Sequence, residues 1–324
     1  MSIFIKEICR LALAGAIMVQ SLAVSTSAQA GEGTFGWVTS LDLQPKGELE
    51  LEERLQLNQN QASGTYQLWQ SRTELSYGLT NDIQISGYLN ASKVTAKGNY
   101  TTCATYEKQQ GEPPTSCPYT AGYLVNNGGS SNAPYSNTQY DGVSLEAIWR
   151  ITNPVTHPVG VGIYIEPTFG PVKDEIEARL ILQSNFLDDK LIVAANFVAA
   201  TEKQKWITNE PFLESMWDIL AGVTYRFAPK WSGGLELRQH NDYASASWNS
   251  AKQTQTAWFL GPNLHYADKN WWATLAYRRQ LNASNCYSWV NEGAIEGGEM
   301  ECSNRYAWDS HTTNEFLLKF GIPF

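Results

Sequence analysis

A closed antiparallel β-barrel of about twelve strands is the fold class this sequence predicts. Three observations carry the prediction. Apolar and polar residues alternate through a dozen segments, and short turns and longer polar connections alternate between those segments. Beyond residue 30, no stretch approaches the roughly 18–20 apolar residues that a spanning helix needs.

The first residues predict export. Lys6 and Arg10 give a positive start, Leu11 to Val24 is apolar apart from Gln20 and Ser21, and Ala28-Gln29-Ala30 offers small residues to a signal peptidase. Residues 1–30 therefore read as a signal peptide and 31–324 as a single barrel domain. No cysteine lies immediately after Ala30, which argues against a lipoprotein. Loss of Lys6, Arg10 and Glu7 would move the formal charge from -9 to -10. That acidity argues against nucleic acid as a partner and against a polybasic membrane-surface protein. The low mean hydropathy, -0.34, is compatible with a barrel, whose polar residues point inward.

The strands follow in order. Residues 47–58 set Leu49, Leu51, Leu55 and Leu57 against Glu48, Glu50, Glu52, Arg54 and Gln56. Residues 66–79 set Trp69, Leu75, Tyr77 and Leu79 against Arg72 and Glu74, and Thr80-Asn81-Asp82 turns the chain into Ile83–Ala91. A polar stretch, 95–138, separates these from 139–151, where Val143, Leu145, Ala147, Trp149 and Ile151 oppose Ser144, Glu146 and Arg150. Turns at 152–158 and at Phe169-Gly170-Pro171 bound the next strand, and Ile176–Phe186 follows. After Leu187–Lys190, residues 191–202 read poorly, because Ile192 and Val198 spoil the polar face. The remaining strands are 213–227, 235–240, 258–266, 271–280 and the C-terminal run from Glu315 to Phe324. Five short turns at alternate connections (80–82, 152–158, 187–190, 228–230 and 267–270) place both termini at one end, the periplasmic one in an outer-membrane barrel.

Aromatic residues sort by strand end. Tyr77, Trp149, Phe186, Tyr225, Phe227, Tyr266, Trp271 and Phe324 lie beside the short turns, whereas Trp69, Trp217, Trp258 and Phe316 lie toward the long connections. Two interfacial girdles explain that pattern, and a soluble sandwich gives no reason for it. Some residues fit badly. Glu53, Lys93 and Arg279 fall on the apolar face, which suggests local slips of register, although Lys93 and Arg279 lie near the loop ends, where long cations can snorkel; Pro262 inside a strand suggests a bulge.

Cys103, Cys117, Cys286 and Cys302 remain after residue 30. Four cysteines in an oxidising compartment suggest two disulfides, with three connectivities open. Each pair sits in one polar segment, which favours Cys103–Cys117 and Cys286–Cys302 over four free thiols.

The last strand, with Phe316, Leu318, Phe320, Ile322 and terminal Phe324, resembles the C-terminal signal that outer-membrane barrels present to their assembly machinery. That resemblance implies Gram-negative outer-membrane lipid and the assembly machinery as partners. The segments 43–47 (LQPKG), 72–78 (RTELSYG), 142–147 (GVSLEA), 225–229 (YRFAP) and 259–266 (FLGPNLHY) resemble a family of uncharacterised proteobacterial outer-membrane proteins, a domain of unknown function sometimes labelled a transporter. The resemblance implies the barrel and carries over no catalytic residue, cofactor or substrate.

The polar face would line the lumen with Glu50, Arg54, Arg72, Glu74, Glu146, Arg150, Glu177, Arg179, Arg226, Glu236, Arg238, His265, Glu315 and Lys319. Counted over every inward position, including Glu48, Glu52, Glu166, Glu175, Glu214, Asp218, Asp242 and Arg278, thirteen acids face eight bases, so an open pore for small hydrophilic solutes would favour cations. Alternatively the charges pair across strands and fill a closed scaffold whose long loops bind partners. A membrane-embedded hydrolase would need a Ser-His-acid set. His240 and His265 face inward and His311 lies near a rim, yet no serine sits in a nucleophile-elbow motif. No H-E-x-x-H, P-loop or dinucleotide fingerprint is present.

Overall fold

The computed structural model describes residues 33–60, 65–97, 134–205, 212–250, 253–286, 302–303 and 312–324. Its strands are β1 (Leu49–Gln59), β2 (Thr65–Thr80), β3 (Ile83–Lys97), β4 (Tyr135–Thr152), β5 (Gly160–Phe169) and β6 (Lys173–Phe186). They continue with β7 (Leu191–Gln204), β8 (Phe212–Ala228), β9 (Trp231–Ala244), β10 (Gln253–Ala267), β11 (Trp272–Cys286), the two-residue β12 (Cys302–Ser303) and β13 (Asn314–Pro323). Twelve long strands thus occur where the alternation predicts them.

Each long strand pairs antiparallel with its neighbour in sequence, and β13 pairs with both β11 and β1. The ladder from Glu50↔Pro323 to Gln59↔Asn314 joins last strand to first and closes the barrel. Closure leaves none of the twelve strands with an unpaired edge, the one arrangement of a sheet that lipid tolerates.

Period-two patterning decides which side each residue faces. Leu89 and Leu145 are 59% and 58% exposed on the outer face, while Glu50 and Glu236 are 1% and 3% exposed on the inner one. A water-soluble protein would show the reverse. The aromatic girdles are present on the outer face. Trp231 meets Tyr266 edge-on at 4.9 Å, Tyr266 meets Trp271 at 4.9 Å, and Trp271 stacks on Phe320 at 5.8 Å. This row runs beside the short turns. Tyr277 and Phe316, 4.9 Å apart, lie nearer the other end. Between two of the short turns Lys230 donates to Asp268 at 2.7 Å, and this bond holds the Asp268 carboxyl below its usual range.

Three expectations need correction. Glu53 is not a slip of register. It pairs in line with Thr73 and Phe320, and its carboxylate faces outward because Ser71 Oγ and Thr73 Oγ1 each donate to it at 2.6 Å. Lys93 and Arg279 likewise hold outward positions, Lys93 paired with Trp69 and Arg279 with Asn314, toward the strand ends away from the short turns. Pro262 makes no bulge. Its register with Leu235 is regular, and the irregularity lies earlier, between Trp258 and Phe259. The poorly patterned strand at 191–202 is genuine β7. Ala194 and Val198 are buried inside the barrel, where an apolar partner awaits them.

Residues 1–32, Cys103, Cys117 and His311 lie outside the described residues. The backbone of β11 and β12 sets Cys286 directly opposite Cys302.

The hydroxyl cap on Glu53 generates a stability ranking. Replacing Ser71 and Thr73 together with alanine strands a carboxylate on an apolar face and should cost about 1–3 kcal/mol. Glu53→Leu removes the need for the cap and should equal or exceed the parent. Urea midpoints in detergent, read by heat-modifiable gel migration, test the order. A double alanine variant as stable as the parent would show that the cap contributes nothing.

Candidate functional site

The barrel interior holds the site, and charged side chains dominate it. Arg72 pairs with Glu166 at 2.7 Å, Arg179 with Glu177 at 2.6 Å and Arg238 with Asp218 at 2.6 Å. Lys319 and Arg54 converge on Glu52 at 3.2 and 3.5 Å, and Arg278 pairs with Glu315. Arg150 reaches Asp82 at 3.1 Å, and Arg226 donates to the Asp189 carbonyl at 3.3 Å. A buried carboxylate is costly unless paired, so ion pairs across strands (Arg72–Glu166, Arg238–Asp218 and Arg278–Glu315) and along one strand (Arg179–Glu177) permit a charged lumen at all.

A different set of acids takes uncharged donors. Glu50 accepts from Trp272 Nε1 at 2.9 Å. Glu146 accepts from the Tyr88 hydroxyl and from Ser86. Glu74 lies buried nearby on β2. Glu236 accepts from Asn263 Nδ2 at 2.7 Å and also from three consecutive backbone amides, described next.

Those amides belong to a segment that strand patterning does not reveal. Residues 33–45 lie inside the barrel and follow its inner wall as a belt. Thr274 Oγ1, on β11, donates to the Gly33 carbonyl. The amides of Gly36, Trp37 and Val38 donate to the Glu236 carboxylate of β9 at 2.6, 2.8 and 3.0 Å. Asn196 of β7 grips Thr39 at both ends, accepting from its N–H at 2.7 Å and donating to its carbonyl at 2.9 Å. Gln183 of β6 accepts from the Leu41 N–H at 2.6 Å, while Arg150 of β4 donates to the Leu41 carbonyl at 3.0 Å. Gln84 of β3 accepts from the Gln44 N–H at 2.8 Å. The belt thus passes the strands in order from β11 to β3 and then feeds β1.

Apolar side chains lock the belt down. Phe35 and Val38 bury against Ala194, Val198 and Leu220. Leu41 buries against Ile148, Tyr164 and Ile181. The wall is recessed to receive them. A Cβ on Gly222 would come within 2.6 Å of Phe35, and one on Gly162 within 2.4 Å of Leu41. On the belt itself, a Cβ on Gly36 would come within 2.6 Å of Ala276. Trp37 projects from the belt, donates to Gln56 at 3.1 Å and lies 4.1 Å from the Arg278 guanidinium, a cation–π contact.

Beside the belt is a cavity of about 70 Å³, lined among others by Thr39, Arg72, Glu74, Tyr88, Glu146 and Arg179. That is room for several ordered waters among these polar groups. His265 hydrogen-bonds Thr274 at 2.7 Å, and His240 lies between Asp218 at 2.5 Å and Asp242 at 2.9 Å. Neither histidine has a serine among the partners that these contacts give it. Among the described residues, no cluster of His, Cys, Asp and Glu could hold a metal ion.

Sequence reasoning missed Asn196, Gln183, Gln84, Gly162 and Gly222. A signal for them existed. Ile192 and Val198 broke the polar face of β7, and Phe35, Val38 and Leu41 recur every third residue ahead of the first strand. Together these mark an apolar segment with an apolar landing site.

Solved structures share this architecture. The COG4313 outer membrane channel from Pseudomonas putida F1 is 10% identical, covers 86% of this chain and 96% of its own, and superposes with a TM-score of 0.53. A structure described as the NanC porin is 12% identical over 84% of this chain and 98% of its own, with a TM-score of 0.46. The KdgM porin is 10% identical over 85% and 99%, with a TM-score of 0.44. The first of these supports the outer-membrane barrel fold. No curated protein matches the sequence. Residues 27–324 match a family of unknown function, DUF6662, and the chain belongs to that family.

Proposed function

We propose that this protein is a gated channel of the Gram-negative outer membrane for small hydrophilic solutes, with mild cation preference, and that the Gly33–Leu43 belt narrows it. The belt carries this reading. It lies within the lumen and, between Gly33 and Gln44, is held by side-chain hydrogen bonds and apolar recesses rather than by strand pairing. A segment held in that way can leave without breaking the barrel ladder. Cation preference follows from the acids that take neutral hydrogen-bond donors, Glu146 from the wall and Glu236 largely from the belt, because withdrawal of the belt would turn the Glu236 carboxylate toward the lumen. Fold-level similarity to a channel is consistent with this reading.

Export fits the same scheme. Cleavage after Ala30 would leave two residues ahead of Gly33, so the mature N-terminus would adjoin the belt. Phe324 exchanges backbone hydrogen bonds with Leu49 at 2.8 and 3.1 Å, and the C-terminal strand would be the part that the assembly machinery meets first.

Gly36→Val should undock the belt, since the added side chain meets Ala276 and Glu236, while every strand keeps its sequence. In planar bilayers the variant should spend at least about tenfold more time conducting than the parent, a shift of roughly 1.4 kcal/mol. Its reversal potential in a salt gradient should favour cations, and the preference should fade toward molar salt as screening shortens the Debye length to about 3 Å. Folded parent and variant that are both silent at all voltages would support instead a filled scaffold, which the dense lumen pairing also favours. Phospholipid hydrolysis lost on changing His240 or His265 would replace both readings.

Opposed backbone at Cys286 and Cys302 supports a disulfide within the β11–β12 connection, with Cys103–Cys117 as the second. Non-reducing peptide mapping should find both. A crosslink from Cys103 to Cys302 would refute the pairing.

A further inference from the structure

We infer that the inner wall from β3 to β11 is a binding surface for peptide main chain, and that the ligands it accepts are oligopeptides in a non-helical conformation. The belt would be a tethered occupant of that surface. The inference rests on the channel reading for how such a ligand arrives, but not for whether it binds.

The main-chain contacts argue for it. Among the described residues, belt positions 33–44 make no backbone–backbone hydrogen bond, so the belt has no secondary structure of its own. Wall side chains instead bond the amides of residues 36–39, 41 and 44 and the carbonyls of 33, 39 and 41. Asn196 reads both the N–H and the carbonyl of Thr39. Gln183 and Arg150 divide the N–H and the carbonyl of Leu41 between them. Glu236 collects the amides of residues 36–38.

These contacts are independent of sequence, because every peptide presents the same N–H and C=O groups. A wall that needed only to be filled could do so with packed side chains. Primary amides and a carboxylate spaced to receive successive peptide units match an amide backbone, whereas a sugar or an aromatic hydrocarbon presents no such repeat. Selectivity would enter at three places. The Ala194–Val198–Leu220 recess takes Phe35 and Val38, the Ile148–Tyr164–Ile181 recess takes Leu41, and the crossing at Ala276 admits only glycine. The preferred ligand is therefore a peptide with apolar residues three apart and a glycine between the first two. The acid of Glu236 adds a demand for consecutive free N–H groups, which proline or N-methylation would not meet.

The test uses the full chain carrying Gly36→Val, which frees the wall, with Phe35→Asn as a second belt variant should the first fold poorly. A fluorescent peptide with the sequence of residues 33–43 is titrated into detergent-solubilised protein and followed by polarisation. The same peptide is added to the bilayer recording from the short-turn side. Saturable binding is expected. N-methylation at the positions of Thr39 and Leu41 should weaken it at least about tenfold, and Asn196→Ala in the protein should do the same. Reordering the peptide to keep the glycine and the apolar positions should leave binding intact. Binding without any conductance would uphold the inference and sink the channel reading. Conductance with no binding, or equal binding of the N-methylated peptide, would overturn the inference and leave the channel reading standing.

Discussion

The ladder between β1 and β13 closes the barrel, and a sheet bathed in lipid has no other way to satisfy its backbone. Once the ten-residue register from Glu50↔Pro323 to Gln59↔Asn314 is set, side-chain direction follows along every strand, because a slip of one residue would turn each face inside out. That would send the row of Leu51, Leu55 and Leu57 into the lumen and Glu50, Glu52 and Arg54 into lipid. The energetic penalty for such an inversion makes the register of this barrel far more specific than pairing alone would. Glu53 shows how far the rule bends. One outward carboxylate is tolerated where two neighbouring hydroxyls satisfy it locally.

An inward-facing set of charges creates its own problem. Low dielectric strengthens every pair, and it also penalises any carboxylate left alone. Most of the lumen solves this with cross-strand pairs such as Arg278–Glu315 and Arg238–Asp218. Glu236 solves it with peptide N–H groups from the belt and an amide from Asn263. The belt and the acid depend on each other. Without the belt, Glu236 would require water. Without Glu236, three consecutive amides would be buried with no acceptor.

Alternation made the wall legible in the sequence, and closed antiparallel strands leave little else to decide. All twelve long strands fall where the pattern places them, and the short turns fall within a residue or so of expectation. The misjudged positions share a cause. Glu53 looked like an error because period two says where a side chain points, not which neighbours across the ladder will meet it. Pro262 looked like a bulge because a missing donor matters only where a hydrogen bond is due, and that depends on pairing phase. The belt was illegible for a deeper reason. It has no period, the wall partners of its main chain lie between 40 and 241 residues away, and those bonds are made by its backbone, which every sequence shares.

What betrays such an occupant is the wall rather than the segment. A barrel strand surrounded by water and charge has no reason to place Ile192, Ala194 and Val198 on its inner face, or glycine at 162 and 222. Both oddities become necessary when an apolar side chain has to lie flush against the sheet. Belt and wall then differ in cooperativity as well as in place. Each wall strand is tied on both sides, so it opens only with its neighbours. The belt contributes no ladder, so it can leave as a local event. Its departure would expose Asn196, Gln183 and Glu236 to water, which can replace each hydrogen bond, and the two apolar recesses, which water cannot satisfy as well. The apolar recesses therefore hold the belt in place, and the polar side chains determine that its occupant must be a peptide.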